Sequence, residues 1–175
     1  MSAALNADVT LVLGGVRSGK SRHAEGLVTA NPAPWIYVAT AEAWDDEMCA
    51  RIRRHREDRG AGWTTVEEPL DLPGVLERVA VAGTAVLVDC LTLWLSNLMG
   101  AERDVAAETA RLLDALDRVA GTVVFVSNEV GLGIVPDNAL ARRFRDDAGR
   151  LHQAVAARAR RVEFVVAGLP MVLKG

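Results

Sequence analysis

Lys20 and Ser21 stand side by side at the end of Gly14-x4-Gly19-Lys20-Ser21, within the stretch "VTLVLGGVRSGKS". Residues of these types at this spacing form the pattern of a phosphate-binding loop (P-loop). Glycines let the backbone curl, so that the N–H groups of Gly14, Gly15, Val16, Arg17, Ser18 and Gly19 can turn toward phosphate oxygens. A helix opening near Lys20 adds the positive end of its dipole. Lys20 can then reach β- and γ-phosphates, while Ser21 offers a hydroxyl to Mg²⁺. Such a site needs an acid at the end of another central strand to hold the metal's water shell, and "AVLVD" supplies Asp89.

A second kind of chemistry is raised by "RIRRHREDR", Arg51 to Arg59, which places His55 among arginines. A histidine that attacks phosphorus must be neutral. Neighbouring arginines disfavour the imidazolium and push its pKa down, and they can also neutralise a triphosphate and a departing pyrophosphate. If Trp44 to Asp58 forms one helix, then Arg51, Arg54, His55 and Asp58 share a face, together with Glu47. From the helix alone, a solvated and ion-paired surface is the simpler reading.

The elements that must position these groups are βα pairs. "VTLVL" (Val9 to Leu13), "WIYVA" (Trp35 to Ala39), "AVLVD" (Ala85 to Asp89), "TVVFVS" (Thr122 to Ser127) and "VEFVVAG" (Val162 to Gly168) are short, nearly continuous apolar runs. Such runs are expected of strands covered on both faces. Helical patterns fill Lys20–Thr29, Trp44–Asp58, Leu72–Ala82, Arg103–Ala120 and Asn138–Arg160, and a further helix follows Asp89. The tail "LPMVLKG" predicts a short antiparallel strand at an edge. "GAGW" and "GLGIVPDN" are the main loop signals. The expected fold class is therefore α/β, a mostly parallel sheet flanked by helices. One domain over residues 1–175 is expected, with 1–8 flexible.

Composition agrees with that class. The chain has 175 residues, half of them hydrophobic and a quarter charged, which describes a packed globule. A net charge of −3 gives no global attraction to nucleic acid or anionic membrane. The long apolar run "VAVAGTAVLVDCLTLWLSNLMG" carries Asp89 in its middle, where lipid burial is expensive, so no membrane span is predicted. Cys49 and Cys90 fit neither a zinc spacing nor a disulfide framework, and "MSAALNADVT" has no basic segment followed by an apolar one. Reduced thiols, no signal peptide and a cytoplasmic location are expected.

Several segments go further. "LGGVRSGKSRHAE", "YVATAEAWDDEMCARIRRHREDR", "WTTVEEP", "VLVDCLTLWLSNLM", "VSNEVGLGIVPDNALARRFRDDAGRLHQ" and "VVAGLPMVLK" occur in order from Val9 to Lys174. Together they closely resemble the bifunctional adenosylcobinamide kinase/adenosylcobinamide-phosphate guanylyltransferases of cobalamin biosynthesis. The resemblance implies a RecA-like P-loop NTPase fold and two reactions. A nucleoside triphosphate, ATP or GTP, phosphorylates the hydroxyl of the aminopropanol arm of adenosylcobinamide. GTP then donates GMP to adenosylcobinamide-phosphate through a guanylylated histidine, giving adenosylcobinamide-GDP and pyrophosphate. That histidine falls on His55, with Arg54 where some members carry a neighbouring histidine. Implied nucleotide contacts fall on Gly14 to Ser21, on Ala39, Thr40 and Ala41, on Arg56, Glu57, Asp58 and Arg59, and on Glu67 and Asp89. Ser21 and Asp89 are the implied Mg²⁺ ligands. A homo-oligomer, a trimer with the acceptor site shared between subunits, is implied as well.

The other histidines suit quieter roles. His23 is expected to be structural or at the acceptor mouth, and His152 to be exposed or a helix-surface partner. Trp35, Trp44, Trp63 and Trp94 are expected to pack in the core or an interface. Asn128 and Glu129 follow a buried strand at the end where open α/β sheets bind ligands, so "NEVGLGIVP" is expected at the acceptor site or an intersubunit surface. Three rival functions remain beside the bifunctional one. A small-molecule kinase needs Lys20, Ser21 and Asp89 but not His55. A nucleotide-switched assembly module would bind GTP without turnover, yet the chain lacks a switch-region pattern. A monofunctional guanylyltransferase is not separable by residues alone.

Overall fold

The structure, a computed structural model, describes residues 7–41 and 60–175. The chain runs β1 (Asp8–Gly14), α1 (Lys20–Thr29), β2 (Trp35–Ala39), β3 (Trp63–Glu67), α2 (Leu72–Val79), β4 (Ala85–Asp89), α3 (Leu91–Gly100), α4 (Val105–Leu116), β5 (Thr122–Asn128), α5 (Ala139–Arg158), β6 (Arg161–Val166) and β7 (Leu169–Lys174). The strands form one sheet in the order β3-β2-β4-β5-β1-β6-β7. Every neighbouring pair is parallel except β6 with β7, the antiparallel edge expected from the tail.

The apolar runs form central strands because both faces are covered. On one face Val86, Val88, Val123 and Phe125 pack with Leu72, Leu76, Trp94, Leu98, Leu112, Leu151 and Val155 from α2 to α5. On the other face the alternate residues Ala85, Leu87, Val124 and Val126 meet Ala24 and Val28 of α1. This is the period of two expected of strands. Trp94 is fully buried and its indole N–H donates to Leu70 O at 2.8 Å, which satisfies its one polar atom. Trp35 and Trp63 lie against each other with ring centroids 5.8 Å apart. The long apolar run divides at Asp89 into β4 and α3, and among the described residues no helix is long and apolar enough to cross a membrane.

One strand was not among those expected. "WTTVE" forms β3, an edge strand whose one neighbour among the described strands is β2, with Thr64 and Glu67 exposed. A half-covered strand does not present the continuous apolar run that marks a central one. α4 and α5 start later than the sequence pattern suggests because Asp104 and Asn138 stand before them as N-caps, while α2 starts at Leu72 as expected, behind its cap Asp71. The expected helix Trp44–Asp58 lies outside the described residues.

Candidate active site

The phosphate-loop pattern sits where its chemistry requires, between the buried β1 and α1. α2, α4 and α5 start with side-chain caps, whereas α1, with Gly19 at its N-cap, and α3, with Cys90, have no capping side chain. The first N–H groups of α1 are thus left for an anion. Gly19 has φ +93°, and a Cβ there would stand 3.1 Å from Gly168 Cα, so both conformation and space select glycine. Gly168, in the β6–β7 turn, donates its N–H to Ser18 O at 2.8 Å and fixes the loop from outside. Lys20 Nζ donates to Gly15 O at 3.1 Å, folding back over the loop. Ser18 is buried, and its Oγ has no hydrogen-bond partner among the described residues.

The C-terminal ends of β1, β5, β4 and β2 bring the remaining candidates together. Gly14 pairs with Asn128, Asp89 with Val126, and Ala39 with both Asp89 and Glu67. Asp89 is half-buried, and its Oδ2 accepts a hydrogen bond from Tyr37, the sole tyrosine of the chain, at 3.1 Å. Thr40 is fully buried. Its hydroxyl accepts from Cys90 N–H at 2.8 Å and donates to Cys90 O at 2.7 Å, and its carbonyl accepts from Asn97 at 2.7 Å. β2 is thereby tied to the start of α3. Thr92 receives the side-chain amide of Asn128 at 3.0 Å and meets Cys90 Sγ at 3.0 Å, which extends the tie to β5. Burial pushes the Cys90 thiol pKa up, and the Asp89 charge adds to that, so the thiol is protonated and inert.

Gly14 to Ser21, Ala39 to Ala41 and Asp89 therefore share one edge of the sheet, and Glu67 ends the strand at its far side. His55, Arg56, Glu57, Asp58 and Arg59 lie outside the described residues. His23 is tied into the sheet: its Nε2 lies 2.5 Å from Glu163 Oε2, and Arg161 bonds the same carboxylate at 2.7 and 2.8 Å. Burial raises the Glu163 pKa, but the bonds from His23 and Arg161 outweigh it and hold the carboxyl below its usual range. His152 corrects its expectation. It is buried rather than exposed, and its Nε2 lies 2.7 Å from the hydroxyl of the fully buried Ser127. Burial depresses its pKa, with the Glu129 charge opposing in part.

Tyr37, Thr92, Asn97 and Ser127 shape this edge without having been singled out in the sequence. Tyr37 is the one with a usable signal, a phenol in an otherwise apolar strand. Among the described residues no group of three or more His, Cys, Asp or Glu side chains could hold a metal ion. Among the described residues this edge offers the Ser21 hydroxyl and the Asp89 carboxylate, with the Glu129 carboxylate after β5, all hard oxygen donors; α1 packs against β4, which carries Asp89. That donor set fits Mg²⁺ arriving with a triphosphate that fills most of its shell, rather than a cation held by protein alone.

A phosphate loop after a buried strand and a partner carboxylate one strand removed define the class as P-loop NTPase-like. Solved structures agree on the fold. The P4 protein from bacteriophage phi13 matches with TM-score 0.53 at 17% identity, covering 94% of this chain and 53% of that one. The P4 protein from bacteriophage phi6, solved in complex with ADP, matches with TM-score 0.53 at 19% identity over 94% and 54%. The chain thus spans about half the length of these phage proteins. Sequence comparison is more specific. The family model described as cobinamide kinase / cobinamide phosphate guanyltransferase matches residues 10–173, and the chain belongs to that family. It is 52% identical over 167 residues to a bifunctional adenosylcobalamin biosynthesis protein, CobP, of Pseudomonas aeruginosa, covering 94% of this chain and 96% of the relative. It is 41% identical over 179 residues to the CobU protein of the same description from Escherichia coli, covering 94% and 98%.

Proposed function

We propose that the chain phosphorylates adenosylcobinamide with a nucleoside triphosphate and then transfers GMP from GTP to adenosylcobinamide-phosphate, through a guanylylated His55. The family match across residues 10–173 carries this reading, because it spans the phosphate loop, the His55 segment and Asp89 alike. In the first half, the uncapped start of α1 and the loop N–H groups hold the β- and γ-phosphates, and Lys20 unfolds from Gly15 to neutralise the charge that grows on the leaving oxygen. Ser21 and Asp89 would hold Mg²⁺, which when bound offsets the charge of the β- and γ-oxygens. Ala39, Thr40, Ala41 and Glu67 line the same edge toward the rest of the nucleotide.

In the second half, a neutral ring nitrogen of His55 attacks the α-phosphorus of GTP and pyrophosphate leaves. Arg56 and Arg59, with Glu57 and Asp58, frame that exchange. A phosphate oxygen of adenosylcobinamide-phosphate then displaces His55 and forms the diphosphate link. The chain works as a cytoplasmic homo-oligomer, a trimer by the family resemblance. The apolar Leu169, Met171, Val172 and Leu173, exposed on edge strand β7, support assembly of identical chains.

The test is incubation with α-labelled GTP. Wild type is expected to acquire an acid-labile, base-stable label, and His55→Ala to acquire none while it still phosphorylates adenosylcobinamide. An unlabelled wild type that nevertheless phosphorylates adenosylcobinamide would leave a kinase alone. Loss of both activities in folded His55→Ala would assign His55 to general nucleotide binding.

A further inference from the structure

We propose that Glu129 is the general base of the kinase half, accepting the proton of the acceptor hydroxyl as that hydroxyl attacks the γ-phosphate. This rests on the bifunctional reading above. Strand β5 lies between β1, which leads into the phosphate loop, and β4, which ends at Asp89. The residue that follows β5 therefore stands between the phosphate cradle and the carboxylate opposite it. Glu129 is that residue, and its own N–H donates to Gly14 O at 3.0 Å, which fixes its backbone to the first glycine of the loop.

The segment after it is tied to α5. Arg145 bonds Gly131 O at 2.8 Å and Ile134 O at 3.0 Å, and Arg142 bonds Pro136 O and Asp137 O at 2.9 and 2.8 Å. Within this frame one oxygen of the half-buried Glu129 carboxylate accepts the Gly131 N–H, and the other has no hydrogen-bond partner among the described residues. A fixed carboxylate with one uncommitted oxygen is suited to taking a proton.

Among the described residues, the other candidate bases along this edge are committed or stand elsewhere. Asp89 accepts the Tyr37 hydroxyl and is the metal carboxylate of the reading above. Glu67 ends β3, with β2 and β4 between it and β5. His152 is buried against Ser127, and His23 is bonded to Glu163. In the step, the acceptor oxygen forms a bond to the γ-phosphorus while the bond from that phosphorus to the β,γ-bridging oxygen breaks. Its electron pair stays on the departing nucleoside diphosphate. The hydroxyl proton passes to Glu129 and from there to water.

The test is Glu129→Gln assayed on two acceptors. Glutamine keeps a carbonyl oxygen for the Gly131 N–H but cannot take the proton. With adenosylcobinamide, kcat is expected to fall by about 10²- to 10⁴-fold, the range for losing a general base, with KM for the nucleotide little changed. With adenosylcobinamide-phosphate, which presents no hydroxyl to deprotonate, guanylyl transfer is expected to persist. Glu129→Asp should recover part of the kinase rate. Wild-type kinase kcat in Glu129→Gln overturns the assignment, and so does an equal loss on both acceptors, which would make Glu129 a prop for its loop. A wild type inactive as a kinase would instead refute the bifunctional reading itself.

Discussion

Replacing Gly14 by alanine asks how tightly the phosphate loop is built. A Cβ at Gly14 would lie 2.5 Å from Ser18 Oγ and 2.8 Å from Val165 O. The first contact can be relieved by turning a side chain. The second cannot, because Val165 O is main chain on β6, the strand that pairs with β1 at this point through Gly14 and Val165. The ladder must open or β1 must shift, and overpacking of this kind costs about 1–3 kcal/mol. For a chain of this size each kcal/mol moves Tm by about 2–4 °C, so a fall of roughly 2–12 °C is expected. Gly15 is the internal control. A Cβ there meets nothing within 4 Å and its φ is not in the left-handed region, so Gly15→Ala should change stability by no more than about 0.5 kcal/mol. Urea unfolding and thermal melts of both variants decide the matter. Equal stability of Gly14→Ala and Gly15→Ala would refute the claim that β6 confines the loop.

Thr40→Val keeps the side-chain shape but strips both bonds to Cys90 from a fully buried site, so it should destabilise by about 1–3 kcal/mol in urea unfolding. Thr40→Ser should recover most of this. His152 titrates with the opposite sign to a histidine that gains a charged partner. Burial holds its folded pKa below the ordinary 6.5, so its contribution is fully present above about pH 6.5 and is lost as pH falls through the lowered folded value. His152→Gln, which can still bond Ser127, should therefore show a flatter decline of unfolding free energy below about pH 6.5 than wild type. An unchanged slope would mean that His152 is not held neutral.

The phosphate loop and Asp89 were legible because both depend on local order: glycines at fixed spacing, and an acid directly after an apolar run. Nothing local announces the bonds that join them. Tyr37 meets Asp89, and Thr40 meets Cys90, only because β2 and β4 are neighbours in register, although they lie about fifty positions apart in the chain. His152 is a different case. The alanines and arginines of α5 make it look like a solvated helix, yet Ala148, Leu151, His152 and Val155 recur at helical spacing and form the buried stripe. The period carried the information that the composition obscured. β3 escaped for the converse reason, since its composition is mixed and, among the described strands, it is an edge that pairs with β2 only.

Several departures from ordinary local rules adjoin one another in the phosphate loop. Arg17 has φ +54° without being glycine, Ser18 Oγ is buried without a partner among the described residues, Gly19 has φ +93°, and α1 opens without a capping side chain. Elsewhere the same chain caps three helices with Asp71, Asp104 and Asn138, although α3 also opens without a side-chain cap and Glu102 and Ala167 also have positive φ. A missing cap alone costs about 1 kcal/mol, and an unfavourable φ a similar amount. Here four of them adjoin, at the edge that also gathers Asp89, Thr40 and Glu129, and the uncapped N–H groups and the Ser18 hydroxyl among them are donors that a single bound anion would satisfy together.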